Sequence, residues 1–395
     1  MVSLFKEVGA AAKLRILGEV AKFDVSGFPS FFGYKEKKFQ RFSFVYPAVG
    51  RGGSCVRLFK VLQNNACQGN CYYCANRKDR NFPRISFSPR ELAHLFIHYY
   101  QKRLVDGLFL SSAIYDSANR SQEEMIKTLW WLRVQLGYRG YIHCKILPGV
   151  TPGLIEAAAP LADRLSVNLE VPGEDYLKRI SPDKKFSTQL LGGLEQISHL
   201  NQLHPFKAGI TTQLVVGAAG ETDREILSLS HNLYAKHNLW RIYYSAFMPI
   251  MDTPLDNISP CSPLRELRLY QADFLLRHYG FSPAELPFQE EGSLPKQCDP
   301  KMAWALHNLD WFPLEVNRAD FPELIRVPGI GRISAGRIIK TRRQSHLTTL
   351  KQLKIMGAVT SRARDFVTLE GKFFPSPGVK EKKEINEQLF LWEEL

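Results

Sequence analysis

The amino-acid sequence predicts an α/β chain in which a partial (β/α)6 barrel is followed by a small all-α domain. Three observations carry this expectation. From Arg57 to Phe247, short β-rich runs alternate with helical segments about six times, which implies a parallel sheet with right-handed crossovers. Six units are fewer than the eight of a closed barrel, so the sheet should stay open, with its active site at the C-terminal ends of the strands. Further on, glycines at 329 and 331 divide the basic stretch Phe321 to Arg343 into two helical segments.

The β-rich runs are Arg57 to Gln63, Gly107 to Ser112, Gly140 to Leu147, Arg164 to Glu170, Lys207 to Val216 and Arg241 to Phe247. Between them, Ser88, Ser121 and Thr222 each precede a glutamate by three residues (Glu91, Glu124, Glu225) and read as capping boxes that open helices. The helix opening at Ser121 places Met125, Leu129, Leu132 and Leu136 on one face and stops at Gly137, where a left-handed C-cap is easy. An N-terminal helix comes first. The segment Phe28 to Arg41 then interleaves aromatics with lysines, read as rings packed on the barrel or, alternatively, as a base-stacking surface. After the barrel, Pro263 to Gly280 is an amphipathic helix, and the Pro-rich passage Ser282 to Pro300 reads as a linker. The expected organisation is an extension (1–56), the barrel (57–250), a helical extension and linker (251–318), a hairpin domain (319–373) and a charged tail (374–395).

An apolar content of 45% over 395 residues supplies a large core. Neither Met1 to Val20 nor any later stretch has the apolar run of a signal peptide or membrane span, so a cytoplasmic protein with no membrane partner and reduced cysteines is expected. The net charge is +13, and most of the excess is local: Arg326 to Phe373 holds eleven Lys and Arg against two Asp and Glu, a net +9. Such density suits a phosphate polymer, although a charge run is also the ordinary signature of a solvated face.

Three of the seven cysteines fall within eight residues, Cys67, Cys71 and Cys74, on the loop after the first barrel strand. Three thiolates can hold three irons of a four-iron four-sulfur (4Fe-4S) cluster and leave the fourth iron open. A structural zinc site would want four ligands, as would a simple electron-transfer cluster. Cys55 is near in sequence but belongs at the far end of the first strand. On spacing alone, zinc and buried structural thiols remain the alternatives. Cys144, Cys261 and Cys298 read as small buried hydrophobes.

The C-x-x-x-C-x-aromatic-C spacing, with Tyr73 before the last cysteine, resembles the signature of the radical S-adenosylmethionine superfamily. The resemblance covers Arg57 to about Met248 and implies a barrel of that type, a 4Fe-4S cluster and S-adenosyl-L-methionine. It also implies an electron donor such as flavodoxin or ferredoxin, and cleavage of the cosubstrate to a 5′-deoxyadenosyl radical. By the same resemblance, Ser111 and Ser112 stand where the superfamily carries the run that receives the methionyl amine. Asn168 and Glu170 resemble the pair that grips the ribose hydroxyls, and Gly217, Gly220 and Glu221 resemble the adenine-side turn. Arg179 would face the methionyl carboxylate, though a surface role is the commoner one for an arginine. His143 and Lys145, near a strand end, are further candidates for substrate or cofactor contact.

Val327-Pro-Gly-Ile-Gly331 followed by Ser334-Ala-Gly-Arg337 resembles the helix-hairpin-helix motif of DNA repair proteins. In this reading Gly329 and Gly331 turn tightly and offer backbone N–H groups to a phosphate, while Arg332, Arg337 and Lys340, with Arg342 and Arg343, face the polymer backbone. Thr349 to Val367 reads as a degenerate second copy. A hairpin used only for packing is the alternative. The combination resembles DNA modification or repair proteins of the radical S-adenosylmethionine superfamily, often encoded beside a uracil-DNA-glycosylase-like protein. The expected function is modification or repair of nucleic acid, DNA before RNA. An RNA base-modifying enzyme and a non-catalytic iron-sulfur nucleic-acid binder are the rivals.

Overall fold

The computed structural model describes residues 9–23, 42–49 and 55–376. The aromatic-basic segment Phe28 to Arg41 and the charged tail from Lys380 lie outside the described residues. Two compact units divide the chain: Met1–Glu221 with Asn232–Glu266, and Thr222–His231 with Leu267–Leu395.

The first unit holds a seven-stranded half-barrel sheet in the order β1-β2-β3-β4-β5-β6-β7. Its strands are β1 (Val45–Val49), β2 (Cys55–Leu62), β3 (Gly107–Ser111), β4 (Tyr141–Lys145), β5 (Arg164–Ser166), β6 (Ile210–Val216) and β7 (Arg241–Ala246). β2 to β7 run parallel, and β1 joins the edge antiparallel, with Val45 opposite Phe59. The six alternating units are therefore present, plus an edge strand that the sequence pattern did not reveal. Pro47 hides it, because proline cannot donate to a ladder and is tolerated only where one side of the strand is unpaired. Every residue of β3 and β6 is buried, as expected for parallel strands covered on both faces.

Helix α1 (Ala10–Val20) precedes the sheet, and α2 (Pro89–Gln101), α3 (Ala118–Trp130), α4 (Pro152–Ala158), α5 (Glu174–Ile180), α6 (Gly192–Leu203) and α7 (Asp223–His237) follow in turn. Ser88 and Glu91 form the capping box expected of them. At Thr222 the side chain accepts from the Glu225 N–H at 3.2 Å, and the Glu225 carboxylate accepts in return from the Thr222 N–H at 2.8 Å. The third box differs. Helix α3 opens one turn earlier than Ser121, because Ser117 Oγ accepts from the Arg120 N–H at 3.1 Å and takes the cap. Ser121 is buried and instead accepts from the Tyr115 N–H at 3.1 Å. Gly137 does end the segment, at φ +63°. Beyond α3 a π-helical turn carries Arg133, whose guanidinium meets Asp163 at 2.7 Å and the carbonyls of Leu161, Tyr138 and Gly140 at 2.8–2.9 Å.

The second unit contains most of α8 (Pro263–His278), then α9 (Pro300–His307), β8 (Leu314–Glu315), α10 (Phe321–Leu324), α11 (Arg332–Arg342), α12 (Leu350–Ile355), α13 (Thr360–Ala363), β9 (Val367–Leu369) and β10 (Lys372–Phe373). It is not all-α: β8, β9 and β10 form a small sheet. The Glu315 carboxylate organises it, accepting from Thr368 Oγ1 at 3.0 Å and the Gly371 N–H at 2.9 Å. The Pro-rich passage contributes buried Leu286 and Leu294 to this unit.

Candidate functional site

The cysteine loop leaves the C-terminal end of β2 and is closed at its base by an antiparallel bridge between Asn64 and Ser86. Arg84 organises its return. One guanidinium nitrogen donates to the Asn65 and Asn76 carbonyls at 2.8 Å, and the other to those of Arg77, Lys78 and Arg80 at 2.6–3.2 Å. Cys67 Sγ accepts from the Gly69 N–H, and Cys74 Sγ from the Asn76 N–H, both at 3.4 Å. Backbone donors of this kind steady thiolates. Burial pushes the Cys74 thiol up to about 12, with the neighbouring Cys71 and Cys67 adding to it. Cys55, by contrast, is exposed at the opposite end of β2.

Among the described residues, no three His, Cys, Asp or Glu side chains gather tightly enough to hold a single metal ion. Cys67, Cys71 and Cys74 bring three thiols to one loop, a donor chemistry that suits the irons of a 4Fe-4S cluster.

A second segment grips the loop from the end of α5. The Tyr72 N–H donates to the Ile180 carbonyl at 2.7 Å, and the Asn70 N–H to Asp183 Oδ2 at 2.8 Å. Cys71 Sγ lies 3.0 Å from Ser181 Oγ in a buried contact. Lys184 Nζ is 3.3 Å from the Glu170 carboxylate. Burial works against the Lys184 ammonium, but Cys71, Glu170 and Cys74 more than offset it and hold it protonated above the ordinary lysine value. Sequence reading missed this grip, since the partners lie about 110 residues apart and no local motif announces it.

The other candidates fall around the same rim. Ser111 ends β3, and its carbonyl accepts from the Gln63 N–H at 2.8 Å, while the Ser112 hydroxyl donates to the Ala113 carbonyl at 2.9 Å. Asn168 and Glu170 lie beyond β5, which stops at Ser166. Glu170 sits at φ +67°, a left-handed conformation rare for a side-chain-bearing residue, and its carboxylate faces Lys184 and Tyr73. Gly217 (φ +92°) and Gly220 (φ +77°) supply the turn after β6. The Glu221 carboxylate folds back to accept from the Gly217 N–H and, at 3.1 Å, from the Ala219 N–H. Arg179 joins it, donating to the Ala219 carbonyl at 2.9 Å. His143 lies lower in the half-barrel, 2.7 Å from Ser166 Oγ. Burial, followed by the charges of Arg164, Lys145 and Lys60, keeps it well below the ordinary histidine range.

In the second unit, Gly329 has φ +81° and Gly331 is the N-cap of α11, with no side chain capping the helix. Leu324, Ile325, Ile330 and Ile338 are buried between the helices. Arg332, Arg337 and Lys340 are exposed. Arg342 is not available in the same way, because its guanidinium donates to the Val316 carbonyl at 2.8 Å and to that of Ala319. Further along, Gly357 takes φ +93°, Ala358 is buried and Val359 is the N-cap of α13.

Taken by fold and site, the first unit is an α/β half-barrel with a three-cysteine loop at the C-terminal rim of its parallel strands. No family model matches the chain, and no curated protein sequence matches it. Solved structures similar to it include HydG, a maturase of the FeFe-hydrogenase, at TM-score 0.44 and 11% identity over 54% of this chain and 48% of that one. Methylornithine synthase (PylB) matches at TM-score 0.44 and 12% identity over 55% and 61%. The radical S-adenosylmethionine methyltransferase TsrM from Kitasatospora setae, with cobalamin and a 4Fe-4S cluster bound, matches at 0.38 and 10% over 53% and 48%. The chain spans about half the length of these structures, from 48% to 61%. No helix of the described residues is long and apolar enough to cross a membrane.

Proposed function

We propose that the chain is a radical S-adenosylmethionine enzyme that modifies or repairs nucleic acid, DNA before RNA. The observation that carries this reading is the cysteine loop itself: three thiols on one loop, at the barrel rim where the glycine turn also stands. In this reading Cys67, Cys71 and Cys74 hold the cluster, which with S-adenosyl-L-methionine supplies a 5′-deoxyadenosyl radical for hydrogen abstraction. The chain's own residues bind and orient the cosubstrate. Gly217 and Gly220 let the backbone approach the adenine, Glu221 keeps their turn shaped, and Arg179 braces it. Ser111 and Ser112 border the loop on the amine side, and Asn168 and Glu170 border it on the ribose side.

Nucleic acid as the substrate rests on the second unit. Gly329 and Gly331 would present backbone N–H groups to a phosphate, with Arg332, Arg337 and Lys340 around them. An electron donor such as flavodoxin or ferredoxin is the partner this chemistry calls for, and the resemblance adds a uracil-DNA-glycosylase-like protein as a further one. The test is anaerobic incubation of reduced, cluster-loaded chain with S-adenosyl-L-methionine and duplex DNA, single-stranded DNA or RNA. 5′-Deoxyadenosine should form, fastest with DNA. A faster rate with RNA favours base modification there, and no product with an intact reduced cluster favours a non-catalytic binder.

A further inference from the structure

The segment that grips the cysteine loop does more than hold it. We propose that Ser181 and Lys184 are tuning residues that raise the reduction potential of the cluster, Ser181 through its hydrogen bond to the Cys71 sulfur and Lys184 through its positive charge. This rests on the functional reading above, since it requires the three cysteines to carry the cluster.

Three contacts fix the segment on the loop and a fourth ties it to Glu170 beyond β5. They are Tyr72 N–H to the Ile180 carbonyl at 2.7 Å, Asn70 N–H to Asp183 Oδ2 at 2.8 Å, Ser181 Oγ to Cys71 Sγ at 3.0 Å, and Lys184 Nζ to Glu170 at 3.3 Å. Ser181 is fully buried, so its hydroxyl cannot trade Cys71 for water. A hydroxyl donating to a thiolate draws negative charge off the sulfur. The Lys184 side chain is only 16% exposed and lies on the same segment as Ser181, which touches Cys71. When the cluster accepts an electron from a low-potential donor, its charge becomes more negative by one. A fixed donor and a fixed cation both favour that reduced state, at a site where water screens little. Glu170 acts in the opposite sense. Its carboxylate, 7% exposed, partly cancels the lysine and also faces Tyr73 between the second and third cysteines.

The signs make the inference testable without turnover. Cluster-loaded full chain is titrated with dithionite in the absence of S-adenosyl-L-methionine, and the midpoint is read from the reduced-cluster EPR signal. Ser181→Ala and Lys184→Met should each move the midpoint to more negative potential, the double variant should move it further, and Glu170→Gln should move it to more positive potential. Lys184→Arg, which keeps the charge, should hold the parent midpoint. If Lys184→Met fails to assemble, Ser181→Ala and Glu170→Gln still decide by their opposite signs. Midpoints unmoved by Ser181→Ala and Lys184→Met, or moved the same way by Lys184→Met and Glu170→Gln, overturn the inference. A parent chain that takes up no iron overturns the functional reading, and this inference with it.

Discussion

Val359 donates its backbone N–H to the Gly329 carbonyl at 2.9 Å, joining the turn before α13 to the turn before α11. A Cβ on Gly329 would collide with the Val359 carbonyl oxygen, and the residue already sits at φ +81°. Gly329→Ala should therefore destabilise the protein by on the order of 2 kcal/mol or more, through strain and overpacking together. Gly336 is the control. It lies in α11, and a methyl group there would meet nothing within 4 Å, so Gly336→Ala should stabilise by about 0.5–1 kcal/mol. Chemical denaturation of the full chain checks both, and an equal loss at the two positions contradicts the packing described.

Lys301 gives a pH dependence with a definite sign. Its ammonium donates to the Ile330 carbonyl at 2.6 Å and lies 4.9 Å from the Tyr279 ring centroid. Burial lowers its pKa to about 7, with Asp299 opposing and Arg362 reinforcing the shift. Between that value and the ordinary lysine value near 10.5, the unfolded chain binds more protons at this position than the folded one. Stability should thus rise with pH across that window, and the cost of the buried charge is fully present below it. Urea unfolding at pH 7 and pH 9.5 should show a smaller rise in Lys301→Met than in the parent. Identical slopes would count against the shift.

For the hairpin surface, Arg337→Ala and Lys340→Ala should weaken DNA binding about equally across sequences and reduce the salt slope by about one unit each. Arg342→Ala should behave differently. Its guanidinium holds the Val316 and Ala319 carbonyls, so its loss should lower thermal stability before it alters the salt slope. Binding isotherms at several salt concentrations, beside a melting curve for each variant, separate the two effects. Slopes unchanged in Arg337→Ala and Lys340→Ala would remove these side chains from the phosphate contact.

Much of the frame was legible in the sequence, because local chemistry fixes it. The Ser88 and Thr222 boxes, the Gly137 stop and the strand-helix alternation all depend on neighbours within a few residues. What escaped depends on distant partners or on competition. Ser117 outcompeted Ser121 for the α3 cap, Pro47 concealed an edge strand, and Glu315 closed a sheet with residues more than fifty positions away. At the site, three cysteines on a post-strand loop could be read directly. The grip of Ile180, Ser181 and Asp183 on that loop, and the pairing of Glu170 with Lys184, could not, since neither has a spacing signature.

The central claim is that Cys67, Cys71 and Cys74 hold a cluster with one iron open to S-adenosyl-L-methionine. Its most direct test is EPR of the anaerobically reconstituted, reduced chain, with iron and sulfide assayed in parallel and the cosubstrate added last. The account predicts about four irons and four sulfides per chain and a reduced-cluster signal whose shape changes on adding S-adenosyl-L-methionine. It also predicts loss of that signal in each of Cys67→Ala, Cys71→Ala and Cys74→Ala, and its retention in Cys55→Ala. Full iron and sulfide content after all three cysteines are replaced, or a signal indifferent to S-adenosyl-L-methionine, would contradict it.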